Sequence, residues 1–382
     1  MKFPPFDLKR LLDTVFKPKK GESIAVLIDL KEPKDVKDFG FLQQDGHDIQ
    51  KMAHKHFYLG LKDRVLAELG LTGGELYCYK ETLGSNLDLD DEVYAPDGRV
   101  LSFERDIYPN YDILLCISTN SATAPLTASA KVHNFRGATL HGLNETILNS
   151  GLSVDYEEVS KRAERLRQGM SNAEAIEIDF MIKGKLYQLR IELNGQDAQK
   201  SHGLCRVAPD IANLPAGEVY YVPTNGEGHF PMKLEDGSIA LLTVKGARVV
   251  AAEFIEGNRD TVEEYDARIK SDEATGFLGE LGFGTELYPI ANHDIQDEKA
   301  FGTFHLATGR NDHLGGTITT DKFNDKNNAT HDDILFSPEK TPEIDAPTVR
   351  LYKDGKTHIL FHSYRAGDFL KEVVYGEPVR NG

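Results

Sequence analysis

Between residues 20 and 150 the sequence repeatedly sets a short apolar run beside a stretch of helical or turn character, and this alternation constrains the fold more than any other feature. IAVLIDL (24–30) follows the turn-like KPKKGE, an amphipathic run fills 47–69, and ELYCYKET (75–82) is strand-like. DILLCIS (112–118) is a second continuous apolar strand; it runs into the small-polar TNSATAPLT, the helix-like LTASAKVHNF and the strand-and-turn GATLHGL. Apolar strands separated by helices bury both sheet faces, so this region is expected to form an α/β domain with a mostly parallel sheet.

Near Ser150 the pattern changes. LSVDYEEVSKRAERLRQGMSN predicts a capped amphipathic helix, and EAIEIDFMIKGKLYQLRIEL predicts two strands joined at Lys-Gly. Beyond Asn194 come glycines, aspartates and short strands such as GSIALLTV and ARVVAAEFI, a helix over 261–271, and TVRLYKDGKTHILFH with a hairpin at Asp-Gly. A chain of 382 residues exceeds the usual size of one core. The expectation is an N-terminal α/β domain over 1–150 and a β-rich α+β metal-binding domain over 151–382.

Charge narrows the partners. Sixty-one acidic against 44 basic residues give a net charge of −17, which repels phosphate backbones and anionic bilayers, so no nucleic acid and no membrane partner is expected. Cys78, Cys116 and Cys205 are far apart and show no CxxC spacing, which argues against a disulfide framework or a zinc ribbon. MKFPPFDLKRLLDTVFKPKK lacks the apolar run of a secretory signal, and no stretch of about 18 apolar residues occurs. A cytoplasmic protein is expected.

Metal-capable side chains gather in four segments of the second half: NLPAGEVYYVPTNGEGHF around Glu218, GFLGELGFGTE around Glu280, DEKAFGTFHLATGRNDHLGG around His305, and NNATHDDILF with His331, Asp332 and Asp333. Imidazole with carboxylate suits zinc, cobalt, manganese or iron(II) without a thiolate. On an extended strand His331 and Asp333 project to one face and Asp332 to the other. An isolated HDD is also the pattern of a surface ion pair, a strand-start Glu218 is also that of an exposed carboxylate, and His305 between apolar neighbours that of a core histidine. Glu227 and His229 in NGEGHF are placed to form a rim or supply a base. His47, His54 and His56 read as a solvated helix face beside Lys51 and Lys55. Neither a phosphate-binding glycine loop nor GxSxG is present.

In this order the four segments resemble the thermophilic-type metalloaminopeptidases, the family of aminopeptidases T and S, over most of the chain. NLPAGEV, LGE, DE followed by GTFHLATGRN and GG, and the H-x-D of His331 and Asp333 carry the resemblance. It implies Glu218, Glu280, His305, His331 and Asp333 as ligands of two divalent ions, an amide or small-peptide substrate and a homodimer. The function so implied is a metallohydrolase whose bridging water is activated by the ions, with Glu218, Glu280 or Glu227 as the proton-shuttling carboxylate. The peptidases carry a tyrosine seven residues after the first metal histidine; Asp312 stands there in this chain. The same resemblance extends to the ring-cleaving dihydroxypyridine dioxygenases, which use one iron(II), and there His305, His331 and Asp333 would form the facial triad. A metal-binding homologue without activity is the third expectation.

Overall fold

The computed structural model describes residues 2–376. The chain divides into two compact units: 1–160 with 202–216 and 293–296, and 161–201 with 217–292 and 297–382.

The first unit carries the alternating pattern. Ser23–Leu30, seven of whose eight residues are buried, pairs in parallel with Thr72–Lys80 on one side and Ile113–Ser118 on the other, and Arg136–His141 extends the parallel set. The sheet is mixed rather than parallel throughout, because Glu92–Tyr94 and Val100–Ser102 add an antiparallel edge. Its opposite edge is Asp210–Asn213, a parallel strand supplied from beyond residue 150. The amphipathic 47–69 stretch is helical, but changes between α and π winding from Asp48 to Leu69.

The second unit contains two antiparallel sheets, of five and eight strands. Both hairpin signals appear there. Lys183 and Gly184, with φ of 48° and 74°, join Ala175–Ile182 to Lys185–Glu192; Asp354 and Gly355, at 53° and 66°, join Asp345–Lys353 to Lys356–His362. Two successive positive φ values match the right-handed twist of the flanking strands. The helix expected over 261–271 is Arg259–Ser271.

The five-stranded sheet positions the candidate site. Its order is His331–Phe336, Phe304–Gly309, Leu278–Gly284, Glu218–Tyr221 and Gln199–Ser201. Val219, Tyr221, Leu281, Phe283, Phe304, Leu306, Ile334 and Phe336 belong to the buried apolar core of the unit. Phe304 and Phe336 stack with ring centroids 5.0 Å apart. Alternation along the strands then sends the intervening residues to the other face, where the polar side chains collect. No helix among the described residues is long and apolar enough to cross a membrane.

Candidate metal centre

On that second face, register places Glu218 opposite Gly284, His305 opposite Gly282, Glu280 and Asp333 each opposite Ala307, and His331 opposite Gly309. Large ligating side chains thus alternate with glycine and alanine. A Cβ on Gly282 would lie 2.1 Å from His305 Cε1, so the imidazole lies across bare backbone, and a Cβ on Gly279 would lie 3.3 Å from His331 Nδ1. Leu278–Gly284, the Gly-rich segment that carries Glu280, is a fully buried strand whose glycines leave room for two rings.

Five of the six expected site residues come together. His305 Nε2 lies 3.7 Å from Glu218 Oε2 and 3.5 Å from Glu280 Oε1; His331 Nε2 lies 3.2 Å from Glu280 Oε2 and 3.4 Å from Asp333 Oδ1. Three overlapping sets have ligand atoms within 4.8 Å of one another: Glu218, Glu280 and His305; Glu280, His331 and Asp333; and Glu298, His305 and Asp333. Ligand bonds of about 2.1 Å at angles of about 90–110° put neighbouring ligand atoms roughly 3.0–3.4 Å apart, so the tighter of these separations suit donors sharing an ion.

The sixth residue, Glu227, is not brought in. It sits exposed on the strand Asn225–Lys233 of the eight-stranded sheet, opposite Lys245 and Arg190, and belongs to none of the three sets. Asp332 points away from the centre toward Arg268 at 3.3 Å, as strand alternation requires. Asp312 is held by Arg310, whose Nε donates to Oδ1 at 2.7 Å, and belongs to none of the three sets. His54 packs among Phe39, Phe41 and Tyr58.

Unsatisfied buried atoms test whether a cation fits. Glu218 Oε2, Glu280 Oε1, Glu298 Oε2, Asp333 Oδ1 and His305 Nδ1 are all closed from solvent with no hydrogen-bond partner. So many orphaned acceptors around one point are costly unless a cation satisfies them. His331 Nδ1 donates to the Arg310 carbonyl at 2.6 Å; since a carbonyl only accepts, a proton sits on Nδ1, and Nε2 is the nitrogen that a neutral ring would offer to a metal. The buried Glu, His and Asp groups could hold a metal ion, and the donor set fits one.

Titration reflects the same concentration of negative charge. Burial opposes the His305 imidazolium, yet Glu280, Glu298 and Glu218 push its pKa up to about 10. His331 is likewise raised by Asp333 and Glu280 against the effect of burial. Burial also opposes ionisation of Glu280, but the two imidazoles outweigh it and hold this carboxyl far below the usual range. Glu298 is pushed up to about 8, by burial first and by Asp333, against the pull of Lys299.

Two residues were not singled out by their sequence pattern. Lys299, 2% exposed, donates to Glu218 Oε1 at 2.6 Å and also to Glu298 Oε1. His313 lies with its ring centroid 5.1 Å from that of His331, edge to face. In DEKAFG, part of the metal-capable segment around His305, Asp297, Glu298 and Lys299 are all buried. Only their adjacency to the His305 segment pointed inward.

No family model matches the chain, and no curated protein does. A solved structure does match. The 2,5-dihydroxypyridine dioxygenase of Pseudomonas putida KT2440 is similar with a TM-score of 0.61 over 94% of this chain and 97% of that one, at 13% identity. That identity shows the fold alone. The neighbour stands on the dioxygenase side of the resemblance and lends the aminopeptidase side no support. It also corrects the metallohydrolase expectation, since ring-cleaving dioxygenation is an oxidoreductase reaction. In the chain itself, the Lys299 ammonium engages one oxygen of Glu218 and one of Glu298.

Proposed function

We propose that the chain is a mononuclear non-haem iron(II) dioxygenase that opens a dihydroxylated N-heterocyclic ring, with His305, His331 and Asp333 as the ligands. The observation that carries this reading is Asp333, which shares one candidate set with His331 and another with His305, while the buried Lys299 engages Glu218 and Glu298. With both imidazoles neutral, four carboxyls face one ammonium, and a single dication offsets most of the remaining negative charge. The fold shared with a 2,5-dihydroxypyridine dioxygenase supports the substrate class.

When bound, iron(II) supplies open coordination positions and the redox chemistry that lets dioxygen react with an electron-rich ring. Both oxygen atoms end in the ring-opened product, so electrons balance without an external reductant. The protein's own groups prepare the site. The His331–Arg310 hydrogen bond fixes the tautomer and ring orientation. Glu280, within 3.5 Å of both imidazoles, is the carboxylate placed to take a substrate hydroxyl proton once those rings are neutral.

The test is to load the purified chain anaerobically with iron(II), measure metal per chain, and follow oxygen uptake with 2,5-dihydroxypyridine and related dihydroxylated N-heterocycles. One iron per chain with stoichiometric, substrate-dependent oxygen consumption is expected. One bound iron with no uptake across the panel would overturn the reaction.

A further inference from the structure

The side chains of the metal centre differ in exposure. Glu218, Glu280, His305 and His331 have side chains at most 6% exposed, and Lys299 is 3% exposed, whereas the Asp333 side chain is 25% exposed. Asp333 is thus the most exposed of these groups, and His313, in the short turn Asp312–Leu314 that follows the His305 strand, packs against His331.

His313 is partly exposed, yet its Nδ1 is shut off from solvent with no hydrogen-bond partner. Its edge-to-face packing on His331 holds the ring beside the centre. The turn is itself well anchored: Asn311 Oδ1 accepts from Ile318 N at 2.8 Å, Gly316 packs against the Asn311 amide, and Arg310 clamps Asp312. A rigidly held imidazole with an unused nitrogen beside a metal centre is a group waiting for a hydrogen-bonding ligand. Asp312 cannot take this part, because its carboxylate is engaged by Arg310.

We propose that His313 is a substrate-binding residue that hydrogen-bonds a polar ring atom, a hydroxyl or the ring nitrogen, of the N-heterocycle beside the centre. This rests on the dioxygenase reading for the identity of the substrate, but binding can be measured without turnover. The role differs from that of a ligand, since His313 belongs to none of the sets able to share an ion.

The experiment loads the wild type, His313→Ala and His313→Gln with zinc, which does not support redox chemistry, and titrates each with 2,5-dihydroxypyridine by calorimetry while measuring bound metal. Expected is metal-dependent binding by the wild type, a loss of about tenfold or more in affinity for His313→Ala, partial recovery in His313→Gln, and equal zinc content in all three. Equal affinity in wild type and His313→Ala overturns the proposal. So does loss of zinc from His313→Ala, which would make the residue a support for His331. A wild type that binds the heterocycle through His313 but consumes no oxygen with iron overturns the reaction and leaves the residue's role standing. A wild type that does not bind it overturns both.

Discussion

The His305 imidazole lies directly over Gly282 on the neighbouring strand, at a place where a single added Cβ would come within 2.1 Å of Cε1. The centre therefore depends on an absent side chain as much as on those present. Gly282→Ala is expected to displace the ring, lower metal affinity by about tenfold or more and cost about 1–3 kcal/mol of stability through overpacking. Metal content and urea denaturation measured on the same preparation check both; a variant that binds metal as the wild type does would show that the ring has another place to go.

Lys299 offers a second test. Replacing it with methionine leaves Glu218 and Glu298 buried without their cation, and breaking such a buried pair typically costs about 3–5 kcal/mol. The double variant Lys299→Met with Glu218→Gln removes one of the stranded charges and is expected to recover part of the loss. If Lys299→Met alone unfolds at the wild-type urea midpoint, the ammonium is not what holds these carboxylates.

Ligand and bystander are separable by metal content. His331→Ala and Asp333→Asn are each expected to lower bound iron to a small fraction of the wild-type value. Glu227→Gln, on an exposed strand of the other sheet, is expected to leave it unchanged. An effect of Glu227→Gln as large as that of Asp333→Asn would contradict the arrangement described.

In the first unit, Asp29 predicts a pH effect. It is 1% exposed and accepts from Gln50 Nε2 at 2.6 Å and Thr119 N at 2.8 Å; burial outweighs these bonds and raises its pKa from 3.8 to about 6. With the folded value above the unfolded one, folding favours the protonated form. The associated stability is fully present below about pH 3.8 and is lost as pH rises through about 6, roughly 3 kcal/mol in all. Asp29→Asn keeps an acceptor for Thr119 and cannot ionise. It is expected to be more stable than the wild type by about 1–3 kcal/mol at pH 8, and by little or nothing at pH 4, in urea denaturation at the two values.

Local pattern made several elements legible. The run 24–30 appears as a buried parallel strand, Lys183-Gly184 and Asp354-Gly355 as hairpin turns, and His331 and Asp333 as same-face neighbours with Asp332 turned away. Each follows from backbone geometry over a few residues. Other features rest on long-range contacts: Asp210–Asn213 pairs with a strand some seventy residues earlier in the chain, Leu278–Gly284 is a strand buried between its neighbours, and Asp297, Glu298 and Lys299 are internal.

The sequence by itself determined which chemistry was available: four segments of imidazole and carboxylate set among small residues, in a chain with no thiolate cluster and a large negative charge. Strand alternation follows from the backbone, so the order of ligating and apolar residues already divided one face from the other. Only the tertiary structure decided which ligands meet, which carboxylate stands apart at Glu227, and that an ammonium from Lys299 enters among them. Those outcomes depend on strand register and on the cost of burying charge, and both are settled by residues far apart in the chain.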